Sequence, residues 1–253
     1  MAKARTVRRV GVLVAVLSLG LTALAPTATA TVHTPPWADI FGSQWNDLNT
    51  IPAATNFYNN LSSTYTRFLN KNSQAATSMG ASYAQSDAIW ADFGHGNRGF
   101  ITFCQPPQGA NCSTALSANS NVGGCGAPGD CLSDYPTQIH KIKYMLFAGC
   151  YTGLDHAAGD PNQGNLVRQA VSAEGVDSAL GFNDLIYFGA PGSGAEIWGT
   201  GDAKYLSQSY TVNNAAFTAA QDVQNANFGW TGGFNTFYSL NGGTKVMPAG
   251  YGS

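Results

Sequence analysis

The sequence predicts an α/β domain with a mostly parallel central sheet. Three segments carry that expectation. Ile139–Ala148 (IHKIKYMLFA) opens with alternation and ends in an unbroken apolar run; Asn165–Ala173 repeats Leu166, Val167, Ala170 and Val171 at helical steps; Val176–Phe182 (VDSALGF) returns as a strand. An unbroken apolar run marks a strand end buried on both faces. Strand, helix and strand in succession then mark a parallel crossover.

The elements can be justified in chain order. Lys3, Arg5, Arg8 and Arg9 precede the apolar run Val10–Ala25, and Pro26 with the small-residue site Ala28-Thr29-Ala30 follows it. This is the pattern of a secretory signal peptide over residues 1–30, cleaved near Ala30. The run is shorter than the roughly 20 apolar residues of a spanning helix. The expected product is a secreted, extracellular chain with no membrane partner, its residues 31–253 forming one domain without internal repeat or linker. Thr31–Pro36 reads as a leader and Trp37–Gly42 as a first strand. Between Ala53 and Leu69 the positions Ala54, Phe57, Tyr58, Leu61, Tyr65, Phe68 and Leu69 recur at helical steps, and Pro52 suits a helix start. Ala88–Phe93 (AIWADF), stopped by Gly94, and Gly99–Phe103 (GFITF) read as strands. Gly175 can terminate the helix at Asn165–Ala173. Asn214–Asn225 reads as a helix, and Phe234–Met247, broken at Asn241-Gly242-Gly243, as a hairpin. Trp90 reads as core, whereas Trp198 and Trp230 fall in Gly-rich stretches that read as loops.

Of 253 residues, 44% are apolar and only 10% charged, against about 25% charged in an average globular chain. That excludes coiled coils and charge-driven disorder. The surface must be wetted by Asn, Ser, Thr, Gln and backbone, which suits an extracellular protein. The first thirty residues hold four of the twelve Lys and Arg and none of the fourteen Asp and Glu, so the remaining 223 carry a net charge of −6. The remaining cations are scattered and form no basic stripe, so nucleic acid is not expected as a partner.

Five cysteines cannot all pair within one molecule. Cys104, Cys112, Cys125 and Cys131 share a Gly-, Pro- and Ser-rich insertion, residues 104–136, which two local disulfides could pin. Its spacing lacks the close Cys-x-x-Cys pairs of structural zinc. Three connectivities remain open. No metal or other cofactor is expected. Cys150, ending the run YMLFAGC, is the spare thiol.

Two turns place reactive side chains just past apolar strands, where open parallel sheets form their ligand crevice. They are Gly94-His95-Gly96 and Gly149-Cys150. A thiol nucleophile needs a proton-handling group and backbone donors aimed at the developing oxyanion. His95 can serve as the first, and the Gly96 and Cys150 amides as the second. In its Phe-Gly-His-Gly and Ala-Gly-Cys-Tyr-Thr-Gly segments the stretch from Ala88 to Phe182 resembles the caspase-like cysteine peptidases, which include caspases, metacaspases, legumain, gingipains, clostripain and separase. The resemblance implies a caspase-like three-layer sandwich carrying the disulfide-rich insertion. It implies hydrolysis of protein or peptide substrates, with Cys150 as nucleophile, His95 protonating the leaving amine, and Gly96 and Cys150 N–H as the oxyanion hole. Several members carry an acidic residue two positions before the cysteine; here Ala148 stands there, leaving Asp92, Asp155 or Asp184 to line any cation-accepting pocket.

Blander readings stand beside these. His33, His140 and His156 read as leader, structural and loop residues. An α/β-hydrolase with a Cys nucleophile is the first alternative, but its elbow wants small glycines where Ala148 and Thr152 stand, and only His156 follows the cysteine at close range. A non-catalytic secreted binding protein on the same scaffold is the second.

Overall fold

The computed structural model describes residues 36–45, 48–71, 87–103, 115–123, 125, 130–135, 142–157, 164–189, 192–226 and 232–247, all within the unit Thr34–Ser253. The expected signal peptide, Cys104, Cys112, His33, His140 and Trp230 lie outside the described residues.

The strands are β1 (Trp37–Gly42), β2 (Gln44–Trp45), β3 (Leu48–Asn49), β4 (Thr66–Lys71), β5 (Asp87–Phe93), β6 (Gly96–Asn97), β7 (Phe100–Thr102), β8 (Ala115–Ser117), β9 (Tyr144–Ala148), β10 (Ala179–Phe182) and β11 (Phe237–Leu240). The helices are α1 (Ile51–Asn60), α2 (Leu166–Arg168, continued by a π-helical turn over Gln169–Ala173), α3 (Gly194–Ser207) and α4 (Val212–Asn225). The central sheet runs β11-β10-β9-β5-β1-β4. It is parallel throughout except at β11, which pairs antiparallel with β10. β6, β7 and β8 form a small antiparallel sheet, so Gly99–Phe103 is a strand, as expected, but outside the central sheet.

Alternation along β9 explains the layering. Tyr144, Leu146 and Ala148 enter one apolar cluster with residues of α1, α3 and α4. Met145 and Phe147 enter another with α2, β7 and β8. Every β9 side chain is therefore buried, which is why its sequence reads as an unbroken apolar run. Each large side chain so buried, such as Phe147 or Trp90, contributes about 1.5–3 kcal/mol. The arrangement is compatible with a three-layer sandwich: helices, sheet, and a mixed layer of α2 with the small sheet. Cys125 and Cys131 form a disulfide with Cα atoms 5.4 Å apart.

Three local expectations need correction. The helix expected over Ala53–Leu69 ends at Asn60, because Leu61 turns extended (φ −69°, ψ 142°) and Ser62 Oγ accepts from Thr64 N–H at 3.2 Å. Short Ser and Thr side chains compete for backbone groups in this way and break helices. The guanidinium of Arg67 donates to the carbonyls of Tyr58 and Leu61 at 2.9 and 2.8 Å, and the chain continues as β4, parallel to β1. The tail is not a hairpin either. After β11 it turns at Asn241 (φ 58°), and Val246 bridges Thr211 instead of returning along β11; Val212 N–H to Lys245 O (2.9 Å) and a Lys245–Asp177 ion pair hold it there. Trp198, expected in a loop, lies in α3, 1% exposed, its Nε1 donating to Ala216 O at 3.1 Å.

Asp202 of α3 is wholly buried, and neither carboxyl oxygen has a hydrogen-bond partner. Burial pushes its pKa well above the ordinary value of 3.8, so the folded chain keeps that proton when the unfolded chain has lost it. Stability therefore falls as pH rises from about 4 through the raised folded value. Asp202→Asn should flatten that fall by about 1.4 kcal/mol per pH unit, one proton's worth. Urea unfolding across pH checks this; unchanged slopes would contradict it.

Candidate active site

The site begins with strand register. β5 and β9 are parallel neighbours, Ile89 opposite Tyr144 through Phe93 opposite Ala148, and Gly94 N–H extends the ladder to Ala148 O at 3.1 Å. Both chains leave the sheet side by side at their carboxyl ends. Buried Thr50 fastens the β5 end: its hydroxyl donates to Phe93 O and accepts from Ser43 N–H at 2.9 Å.

The two turns then press backbone against backbone. A Cβ on Gly96 would lie 2.6 Å from Thr152 Cγ2, 2.7 Å from Cys150 O and 2.7 Å from Gly149 C; one on Gly149 would lie 2.9 Å from Gly96 Cα. Real side chains do not tolerate such distances, so both positions require glycine. His95, between Gly94 and Gly96, is exposed, and its carbonyl accepts from both N–H and Oγ1 of Thr102 at 2.9 Å, folding the turn onto β7.

Cys150 is partly buried and is the free cysteine among the described residues. Its Sγ donates to Ile186 O at 3.4 Å. Burial pushes the thiol above the ordinary value of 9.0, backbone hydrogen bonding at Ile186 and at Cys150 itself pulls it part of the way back, and the Asp184 carboxylate adds to the rise. The resting sulfur is thus a neutral thiol at physiological pH. The next residue, Tyr151, has φ 58°, and its N–H donates to Asp184 O at 3.2 Å. A left-handed non-glycine residue costs on the order of 1–3 kcal/mol and persists only where its surroundings enforce it.

Of the three acids singled out in the sequence, Asp184 alone acts on Cys150. Asp155 pairs with Arg168 at 3.7 Å and accepts from Asn165 Nδ2 at 3.1 Å. Asp92 is buried in β5 without a partner for Oδ2, and burial pushes its pKa well up. His156 is exposed, its Nδ1 3.2 Å from Arg98 O. A segment the sequence reading passed over also borders the thiol. Leu185 and Tyr187, 45% and 63% exposed, flank the buried Ile186 whose carbonyl receives the Cys150 proton. The apolar stretch Leu185-Ile186-Tyr187-Phe188 was its signal, since exposure alternates along it. A cavity of about 220 Å³ lies elsewhere, between α1, α3 and α4, and includes no residue of either turn. Among the described residues no group of three or more His, Cys, Asp or Glu is placed to hold a metal ion, and no helix is long and apolar enough to cross a membrane.

No known protein-family model matches the chain, and no curated protein matches it.

Because alkylation consumes the thiolate, iodoacetamide should label Cys150 with a midpoint above pH 9.0, as read by peptide mapping of the native protein. A midpoint below that value, or labelling only after denaturation, would contradict this electrostatic description.

Proposed function

We propose that the chain is a secreted cysteine endopeptidase of the caspase-like type, hydrolysing peptide bonds through Cys150 and His95. The observation that carries this reading is the contact between the Gly96 and Gly149 backbones at the carboxyl ends of two adjacent parallel strands. It brings a free thiol, a histidine-bearing turn and glycine amides to the carboxyl end of the central strands. The order of His-Gly before Cys, each following a buried strand, supports the caspase-like assignment.

In this mechanism the scissile carbonyl sits between the sulfur and the Gly96 and Cys150 N–H groups. The sulfur attacks the carbonyl carbon, its proton passing to His95, and the carbon–oxygen π pair moves onto oxygen, where the two amides stabilise it. The oxyanion then collapses, the carbon–nitrogen bond breaks, and the His95 imidazolium protonates the departing amine. Water attacks the resulting thioester with His95 as base, releasing the acid and restoring the thiol. A thiol that is neutral at rest suits this scheme, since substrate rather than a standing ion pair completes the site. Exposed Leu185 and Tyr187 supply apolar surface for the peptide beside the sulfur.

Cleavage of a peptide library by wild type, Cys150→Ala and His95→Ala tests the reading. Both variants should lose at least about 10²-fold in kcat/KM, the low end of what general acid–base and nucleophilic groups contribute. Cleavage that survives Cys150→Ala would remove the proposed mechanism.

A further inference from the structure

We infer that Thr152 is a positioning residue for the thiol, an inference that rests on reading Cys150 as the nucleophile. Thr152 is wholly buried. Its Oγ1 lies 2.7 Å from Phe147 O, 2.9 Å from Gly149 O and 3.1 Å from Phe182 N. A hydroxyl has one proton and two lone pairs. It therefore donates to one of the two carbonyls at a time while accepting from the Phe182 N–H. One side chain thus ties the end of β9, the glycine before Cys150 and the end of β10 into a single knot.

The methyl group sits beside the histidine turn: Cγ2, Cys150 O and Gly149 C all lie where a Cβ on Gly96 would come within 2.7 Å, so the cysteine-turn backbone itself sets the spacing between the two turns. The neighbouring bonds close the same loop: Gly149 N–H donates to Phe147 O at 3.0 Å, Gly153 N–H to Phe182 O at 2.8 Å, and Leu154 N–H to Tyr151 O at 3.0 Å. Between them Tyr151 holds its left-handed backbone, bending the chain directly after Cys150. Without the hydroxyl the turn loses its central acceptor and donor, and the sulfur and its oxyanion-facing amide shift together.

Thr152→Val keeps the shape and removes the hydroxyl, whereas Thr152→Ser keeps the hydroxyl. In folded Thr152→Val, kcat should fall about 10²-fold with KM little changed, as expected of misplaced reacting groups, and the Cys150 alkylation midpoint should move by about half a pH unit or more. Thr152→Ser should restore most of both. A folded Thr152→Val with wild-type kcat and midpoint, or a Ser variant as damaged as Val, would overturn the inference. Where Val fails to fold, wild-type NMR decides: the Thr152 methyl resonance should move when Cys150 is alkylated, and an unmoved methyl would overturn it. The alkylation and NMR readings need no peptidase activity. Loss of the peptidase reading, through cleavage surviving Cys150→Ala, is therefore distinguishable from failure of the Thr152 role.

Discussion

The parallel pairing of β5 with β9 is the constraint from which the candidate site follows. Neither turn is reactive by composition alone; a histidine between glycines and a cysteine after an apolar strand are both ordinary. Register makes them neighbours, because Phe93 opposite Ala148 sends both chains off the sheet at one level. The absence of side chains at Gly96 and Gly149 then lets the backbones meet. That contact is fixed from below by two buried threonines, Thr50 under the end of β5 and Thr152 under the end of β9. Each satisfies several backbone groups that the ends of parallel strands leave unpaired, a requirement wherever such groups are shielded from water.

The electrostatics fit a site kept quiet until it is occupied. Burial and Asp184 both favour the neutral thiol, and the Ile186 carbonyl accepts its proton. A preformed thiolate would be the more reactive state toward any electrophile. In the proposed peptidase, reactivity instead arises when a bound carbonyl brings its developing charge to the amides. The two buried carboxyls, Asp92 and Asp202, answer a different question. They lie in β5 and α3 rather than against the sulfur, and their raised pKa values mark the energetic cost of carboxyls inside an apolar fold.

How much of this was legible in the sequence depended on whether a local pattern matched a tertiary need. β5, β9 and α4 were readable because their burial is periodic or continuous; Tyr144–Ala148 is buried at every position and reads so. Helix α3 was not readable. Gly194, Gly199 and Gly201 lower its intrinsic propensity, yet the last two let it approach its neighbours closely. A Cβ on Gly199 would lie 3.0 Å from Ala53 O, and one on Gly201 3.0 Å from Ala219 Cβ. Packing overrode propensity, and Trp198 went to the core with it. β4 was mistaken for helix because Tyr65, Phe68 and Leu69 continue a helical spacing, although the Ser62–Thr64 turn had already ended α1. In the site, Cys150, His95 and Gly96 could be picked out by their turns. Thr152 could not be assigned, and the apolar stretch Leu185–Phe188 signalled only burial, since their places depend on which strand lies next to β9.

The claim that sulfur and imidazole share one solvent-accessible crevice is tested most directly by NMR of the His95 ring before and after alkylation of Cys150, with His95→Ala supplying the assignment. A shared crevice requires the His95 ring resonances to move on alkylation while those of His156 stay in place. Unmoved His95 resonances would contradict it, leaving the two turns as backbone neighbours whose side chains do not meet.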